Sequence, residues 1–323
     1  MFSRQSGLLN SRRRALVQVA GFASLAAVPL LSACGGNGDN TGLSVAERVQ
    51  AESQYSILDE ALAASGLRAT LAGTGPFTLF APTDAAFALL LGELGLTKAQ
   101  LLGNLPLLTS VLRYHVVAGS VKRADVPLGK AVTTVQGGVF KVESSGNDLT
   151  ITDGRNRTSR ISATDALATN GVIHAIDKVL LPANRNIVET AIAAAPEFSI
   201  LVEAVVAANL QGALSAAGPL TVFAPTNAAF AALLAELGLT KAQLLANTAL
   251  LTRVLTYHVV SGRVLKADIV VGQAVTTLQG QTFSVGADLF ITDQRARRSA
   301  IAGTDLFTSN GVIHTVARVL LPT

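Results

Sequence analysis

Thr78-Leu79-Phe80-Ala81-Pro82-Thr83-Asp84-Ala85-Ala86-Phe87 reads as a short apolar strand stopped by a proline, then a threonine that caps a helix. Pro82 has no N–H to give a sheet ladder, so the strand ends there. The Thr83 hydroxyl can accept a hydrogen bond from a free N–H of the first helical turn. Phe87, Leu90, Leu91 and Leu94 fall at i, i+3, i+4 and i+7, an apolar helix face, and Gly95 offers the left-handed residue that closes a helix. The stretch returns as Thr221-Val222-Phe223-Ala224-Pro225-Thr226-Asn227-Ala228-Ala229-Phe230, with Gly238 in the place of Gly95.

Outward from this element, two units match at an offset of 143 residues and later of 140. From Phe80 to Asn104, 21 of 25 positions equal their partners. A period of this length is a duplicated domain rather than a solenoid repeat. Each unit is predicted to open with a helix, over 45–64 and 187–208. Thr97-Lys98-Ala99-Gln100 has the form of a capping box, and Pro106 suits a first helical turn. The second half of each unit changes period: Val132–Val135, Phe140–Val142, Leu149–Ile151 and Val172–Ile176 are short β-branched runs punctuated by Gly137-Gly138, Ser145-Gly146-Asn147 and Asp153-Gly154. Helices first and strands after predict an α+β fold with mostly antiparallel strands.

The Thr-x-Phe-Ala-Pro-Thr-(Asp/Asn)-x-Ala-Phe motif is joined by Tyr114-His115 and Asn170-Gly171-Val172-Ile173-His174. Tyr257-His258 and Asn310-Gly311-Val312-Ile313-His314 answer them in the second unit. Their order and spacing resemble the sequence blocks of the fasciclin domain family, over 43–182 and again over 186–323. The resemblance implies a wedge-shaped β-sandwich flanked by helices in each domain. It also implies adhesion and matrix contact outside the cell, without catalysis.

The front of the chain reads differently. Residues 1–33 are expected to be an export signal: Arg12, Arg13 and Arg14 supply the positive region, and residues 15–31 form an apolar run short for a membrane span. Leu31-Ser32-Ala33-Cys34-Gly35 resembles a bacterial lipobox, which would make Cys34, the single cysteine, the lipidation site and place the protein on a membrane of the cell envelope. The arginines followed by Ala15-Leu16 also resemble a twin-arginine signal. Residues 34–42, rich in Gly and Asn, read as a tether. The four basic residues of the signal account for the whole formal charge: without them, 21 Lys and Arg face 21 Asp and Glu. No nucleic-acid partner is expected on that ground, and a lone cysteine leaves stability to packing.

The candidate chemistry is sparse. His115 with His258 and His174 with His314 are repeat-related pairs. Asp177 could add a third metal ligand, but its partner is Ala317, so the rings are read as structural, fixing strand to helix by a ring N–H, and no metal or cofactor is expected. Tyr114 and Tyr257 are expected to pack with bonded hydroxyls. Asp84 becomes Asn227, which cannot take a proton, and there is no Gly-x-Ser-x-Gly elbow, so no catalytic residue is assigned. Thr83, Thr226, Asn170, Gly171, Asn310 and Gly311 are structural, the Asn-Gly pairs as turns that need positive φ. Two outward surfaces remain. Arg155 and Arg157, with Arg295 and Arg297, follow Ile-Thr-Asp at hairpin tips and suit sulfate, phosphate or carboxylate on a polysaccharide or lipid head. Asp165 and Asp305 stand where animal relatives carry an integrin-linked Asp-Ile, here followed by Ala166 and Leu306. The expected function is non-covalent contact with anionic polysaccharide or a cell-surface protein. The alternative is a module binding a small ligand or a periplasmic protein, with the helix–strand cleft as pocket.

Overall fold

The computed structural model describes residues 42–323. The signal segment, Cys34 and the tether as far as residue 41 lie outside the described residues. Domain 1 begins with α1 (Val45–Ala51), α2 (Ser56–Ala64) and α3 (Leu67–Leu71). It continues with β1 (Phe77–Pro82), α4 (Asp84–Leu94), α5 (Lys98–Gly103) and α6 (Leu105–Tyr114). Its strands are then β2 (Val116–Ala118), β3 (Ala131–Thr133), β4 (Val139–Ser145), β5 (Asp148–Thr152), β6 (Thr158–Ala168) and β7 (Gly171–Ile176). Domain 2 repeats the order. Its helices are α7 (Ile187–Ala193), α8 (Ser199–Ala207), α9 (Gln211–Ser215), α10 (Asn227–Leu237), α11 (Lys241–Ala246) and α12 (Thr248–Tyr257), with β8 (Leu220–Pro225) ahead of α10. The strands β9 (Val259–Ser261), β10 (Ala274–Thr276), β11 (Thr282–Val285), β12 (Phe290–Thr292), β13 (Arg298–Thr308) and β14 (Gly311–Val316) complete it.

Each domain carries one seven-stranded sheet, ordered β2-β1-β7-β6-β5-β4-β3 in domain 1 and β9-β8-β14-β13-β12-β11-β10 in domain 2. The pairs are antiparallel except β1 with β7 and β8 with β14. The Val135 N–H donates to the Val116 carbonyl at 2.8 Å, which ties the end beyond β3 back to β2 and nearly closes the sheet on itself. The result is the α+β architecture expected, twice.

β1 explains why the opening stretch is apolar throughout. Leu79 and Ala81 face a helical core with Leu58, Phe87 and Leu108, while Phe80 faces a second core inside the folded sheet with Tyr114, Phe140 and Ile151. A strand covered on both faces is a continuous apolar run rather than an alternating one. Phe80 meets Phe140 edge-on, with ring centroids 5.0 Å apart. After Pro82, the Thr83 hydroxyl accepts from the Ala86 N–H at 3.3 Å, and Gly95 closes α4 at φ 64°. Leu94 reaches the surface, and Ala86 takes its place on the buried face with Phe87 and Leu90.

The single opening helix of each unit is in fact broken. In domain 1 the backbone turns extended at Glu52, between α1 and α2; in domain 2, Pro196 stands between α7 and α8, where a helix interior would lose an N–H and meet the proline ring. The breaks are held open by Asp84 and Asn227. Asp84 accepts from the Ile57 N–H at 2.8 Å and from the Ser56 hydroxyl, and Asn227 accepts from the Ile200 N–H at 2.9 Å. Both residues supply a side-chain oxygen, so Asp and Asn exchange freely here. Among the described residues no helix is long and apolar enough to cross a membrane.

The two domains share a buried seam. Ala131 and Val139 of domain 1 pack with Leu265, Phe307 and Val312 of domain 2. The Asn156 side chain pairs with the Phe307 backbone, accepting from its N–H at 2.7 Å and donating to its carbonyl at 3.1 Å. Lys141 Nζ lies 3.0 Å from the Asp305 carboxylate and 3.1 Å from that of Glu143.

Candidate functional site

The imidazoles are fully engaged. His115 Nδ1 lies 2.7 Å from the Val111 carbonyl, and its Nε2 accepts from the Leu180 N–H at 2.9 Å. A carbonyl needs a donor and an N–H needs an acceptor, so the proton sits on Nδ1. His258 repeats this with Val254 and Leu320. His174 takes the opposite tautomer, Nε2–H toward the Val121 carbonyl at 2.9 Å and Nδ1 accepting from the Asp165 N–H; His314 does the same with Val264 and Asp305. Burial holds all four in the neutral form: His115 and His258 are pushed down to about 4, and His174 and His314 are lowered as well. Among the described residues no group of three or more His, Cys, Asp or Glu is arranged to hold a metal ion. The Tyr114 hydroxyl donates to the Val139 carbonyl and that of Tyr257 to the Thr282 carbonyl, and burial raises both phenols.

Asn170 joins three segments: its Oδ1 accepts from the Val45 N–H, and its Nδ2 donates to the Leu71 and Gly73 carbonyls. Asn310 does the same for Ile187, Leu214 and Ala216. Gly171 is glycine for a different reason from the turn geometry expected. Its φ is not positive; a Cβ there would stand 2.1 Å from the Phe77 carbonyl oxygen, and at Gly311 2.0 Å from that of Leu220. The parallel pairing of the first and last strands brings the backbones that close.

Asp165 and Asp305 lie within strands. They sit inside β6 and β13, at register shifts, with φ of 59° and 61°. Asp is one of the few side chains that tolerates this region, and a bulge re-aims the strand. Asp165 accepts from the Arg123 N–H at 2.8 Å, and Asp305 from the Lys266 N–H at 2.7 Å. Their surroundings then diverge. Asp305 is only 4% exposed and faces Lys141, so the outward face expected for it is covered by domain 1. Phe307 is 2% exposed beside it, whereas Leu167, its counterpart in domain 1, is 44% exposed.

The arginines divide too. Asp153 is buried at the β5–β6 tip and accepts from the Arg155, Arg157 and Leu181 N–H groups. The Arg157 guanidinium is spent on Asp153, Glu93 and the Val179 carbonyl, and that of Arg297 on Asp293, Glu236 and the Val319 carbonyl. These two build the fold. Arg295 donates through Nε to the Pro322 carbonyl and borders an apolar hollow of about 100 Å³ with Phe230 and Leu251. Arg155 donates weakly to the Pro182 carbonyl, at 3.4 Å, and opens onto a crevice of about 320 Å³ lined by both domains, with Arg185, Asn184, Thr190 and Phe307.

The family model described as "Fasciclin domain" matches residues 53–182 and 196–322. The chain belongs to the fasciclin-domain family. It is similar to transforming growth factor-beta-induced protein ig-h3 of Sus scrofa, 32% identical over 79% of this chain and 36% of that protein. It is also similar to immunogenic protein MPB70 of Mycobacterium bovis, 33% identical over 48% of this chain and 69% of that one. The chain thus spans about a third of the length of ig-h3. Among solved structures, the fasciclin domain pair of the insect cell adhesion molecule fasciclin I matches with a TM-score of 0.42 and 17% identity, over 85% of this chain and 95% of that one.

Sequence reasoning missed the residues that join the fasciclin domains, namely Lys141, Asn156 and Arg185. One signal was present. Lys141 interrupts the apolar run Val139-Phe140-Lys141-Val142, and its counterpart is Ser284, a difference that a buried ion pair in one copy accounts for.

Proposed function

We propose that this chain is an adhesion-type protein of the cell envelope, carried on a membrane by a lipid at Cys34. It would make non-covalent contacts with acidic polysaccharide or cell-surface proteins through its two fasciclin domains. The observation that carries the reading is the use of the repeated polar side chains. The histidines, tyrosines, Asn-Gly segments, Arg157 and Arg297 are all turned inward onto backbone groups and neighbouring strands. What faces outward is shape and charge, the means of contact rather than of turnover. Membership of the fasciclin-domain family favours the same class of work.

The test is a glycan-array and whole-cell binding screen on the lipidated and lipid-free chain. Attachment that weakens with salt, as exposed charges require, supports adhesion. No attachment to any glycan or cell, together with a thermal shift on adding metabolites, would replace it with a small-ligand module.

A further inference from the structure

The crevice between the fasciclin domains holds an unusual charge arrangement. Arg155 reaches it from the β5–β6 tip of domain 1, and Arg185 from the segment joining the domains. Among the described residues neither guanidinium has an ion pair, and Arg185 makes no side-chain hydrogen bond. The carboxylate beside them, Asp153, is committed to Arg157 and to three backbone N–H groups. Arg155 is part-buried, and its pKa is lowered first by that burial and then by the charge of Arg157; Asp153 opposes the shift, and Arg185 adds to it more weakly. Two like charges facing one hollow, neither with an ion pair of its own, repel, and the repulsion is relieved by an anion between them.

We propose that this crevice binds one oxyanion group of an acidic polysaccharide, a sulfate or a carboxylate, gripped by the guanidinium forks of Arg155 and Arg185. Planar guanidinium groups match such oxygens two at a time. The site exists only where the domains meet, since Thr190 and Phe307 of domain 2 form its far wall. The equivalent Arg295 borders Phe230 and Leu251 instead. An anion held here would also brace the joint, because its two grips stand on domain 1 and on the connecting segment. The proposal rests on the adhesion reading for the identity of the molecule that carries the anion, and on the geometry alone for the site.

Isothermal titration of the full two-domain chain with sodium sulfate, against sodium chloride at matched ionic strength, tests the site. Sulfated and uronate oligosaccharides are then titrated in parallel. One saturable site per chain is expected, weakened at least tenfold in both Arg155→Gln and Arg185→Gln and unchanged in Arg295→Gln. Arg185 is exposed and has no side-chain partner, so its removal cannot act by unfolding the protein. A response to sulfate that never saturates, or that is equal in all three variants, overturns the site. Oligosaccharide binding undiminished in Arg155→Gln and Arg185→Gln overturns it too, while leaving adhesion standing. Saturable sulfate binding without oligosaccharide binding keeps the site and removes its polysaccharide.

Discussion

At the scale of single residues, the polar side chains repeated in the two domains are backbone connectors. His115 bridges α6 to the segment after β7, and its neutral ring is part of that bridge. An unfolded histidine titrates near 6.5, whereas His115 and His258 hold off protonation to about 4. Between those values the unfolded chain binds protons that the native chain refuses, so stability is full above pH ~6.5 and falls as pH drops toward 4. Each of these two rings contributes about 3 kcal/mol to that loss. Urea unfolding from pH 7.5 to 4 should show it, with the slope reduced by His115→Gln. Gly171 makes a different demand. In Gly171→Val the new Cβ meets the Phe77 carbonyl, and the cost should be at least about 2 kcal/mol in thermal or chemical unfolding. An unchanged melting temperature would contradict the close approach.

At the scale of elements, the strand–proline–helix unit was readable because each of its signals is local. Pro82, the Thr83 cap and Gly95 act within one or two turns of chain, and the capping box at Thr97 likewise. The hairpin tip at Asp153 is local in another sense, an aspartate folding backbone N–H groups around itself. Asp153→Ala should release Arg157, Arg155 and the Leu181 N–H together, at about 3 kcal/mol or more, read by chemical unfolding. Only part of this was legible. Ile-Thr-Asp marked the tip, but Arg157 could not be assigned to Asp153, Glu93 and Val179 from its spacing, since the last two are brought by distant elements. The same limit hid the parallel β1–β7 pair, which joins strands about ninety residues apart, and the bulge at Asp165, which is set by the pairing of β6 with β7. The break between α1 and α2 escaped for a related reason: its partner, Asp84, lies in α4.

At the scale of the whole molecule, a duplicated sequence has become an unequal pair. Domain 1 turns Lys141, Asn156 and Val139 toward Asp305, Leu265 and Phe307 of domain 2, while Asp165 and Leu167 have no such cover. Lys141 is buried, which opposes its charge, but its bonds to Asp305 and Glu143 more than offset this and its pKa is raised. Lys141→Met would leave Asp305 buried and uncompensated, a loss of about 3–5 kcal/mol. Calorimetry should show a lower or divided unfolding transition, largely restored by adding Asp305→Asn, which keeps the acceptor for the Lys266 N–H. The polar side chains shared by the two domains are used up in building them. The chain's four histidines, two per domain, put that claim to the sharpest test through a proton NMR titration from pH 8 to 4, with and without one equivalent of zinc per domain. The prediction is that His115 and His258 stay neutral until about pH 4, with His174 and His314 also titrating below the ordinary range, and that no ring resonance moves with zinc. A ring that titrates near 6.5, or a pair that shifts together on adding zinc, would contradict it.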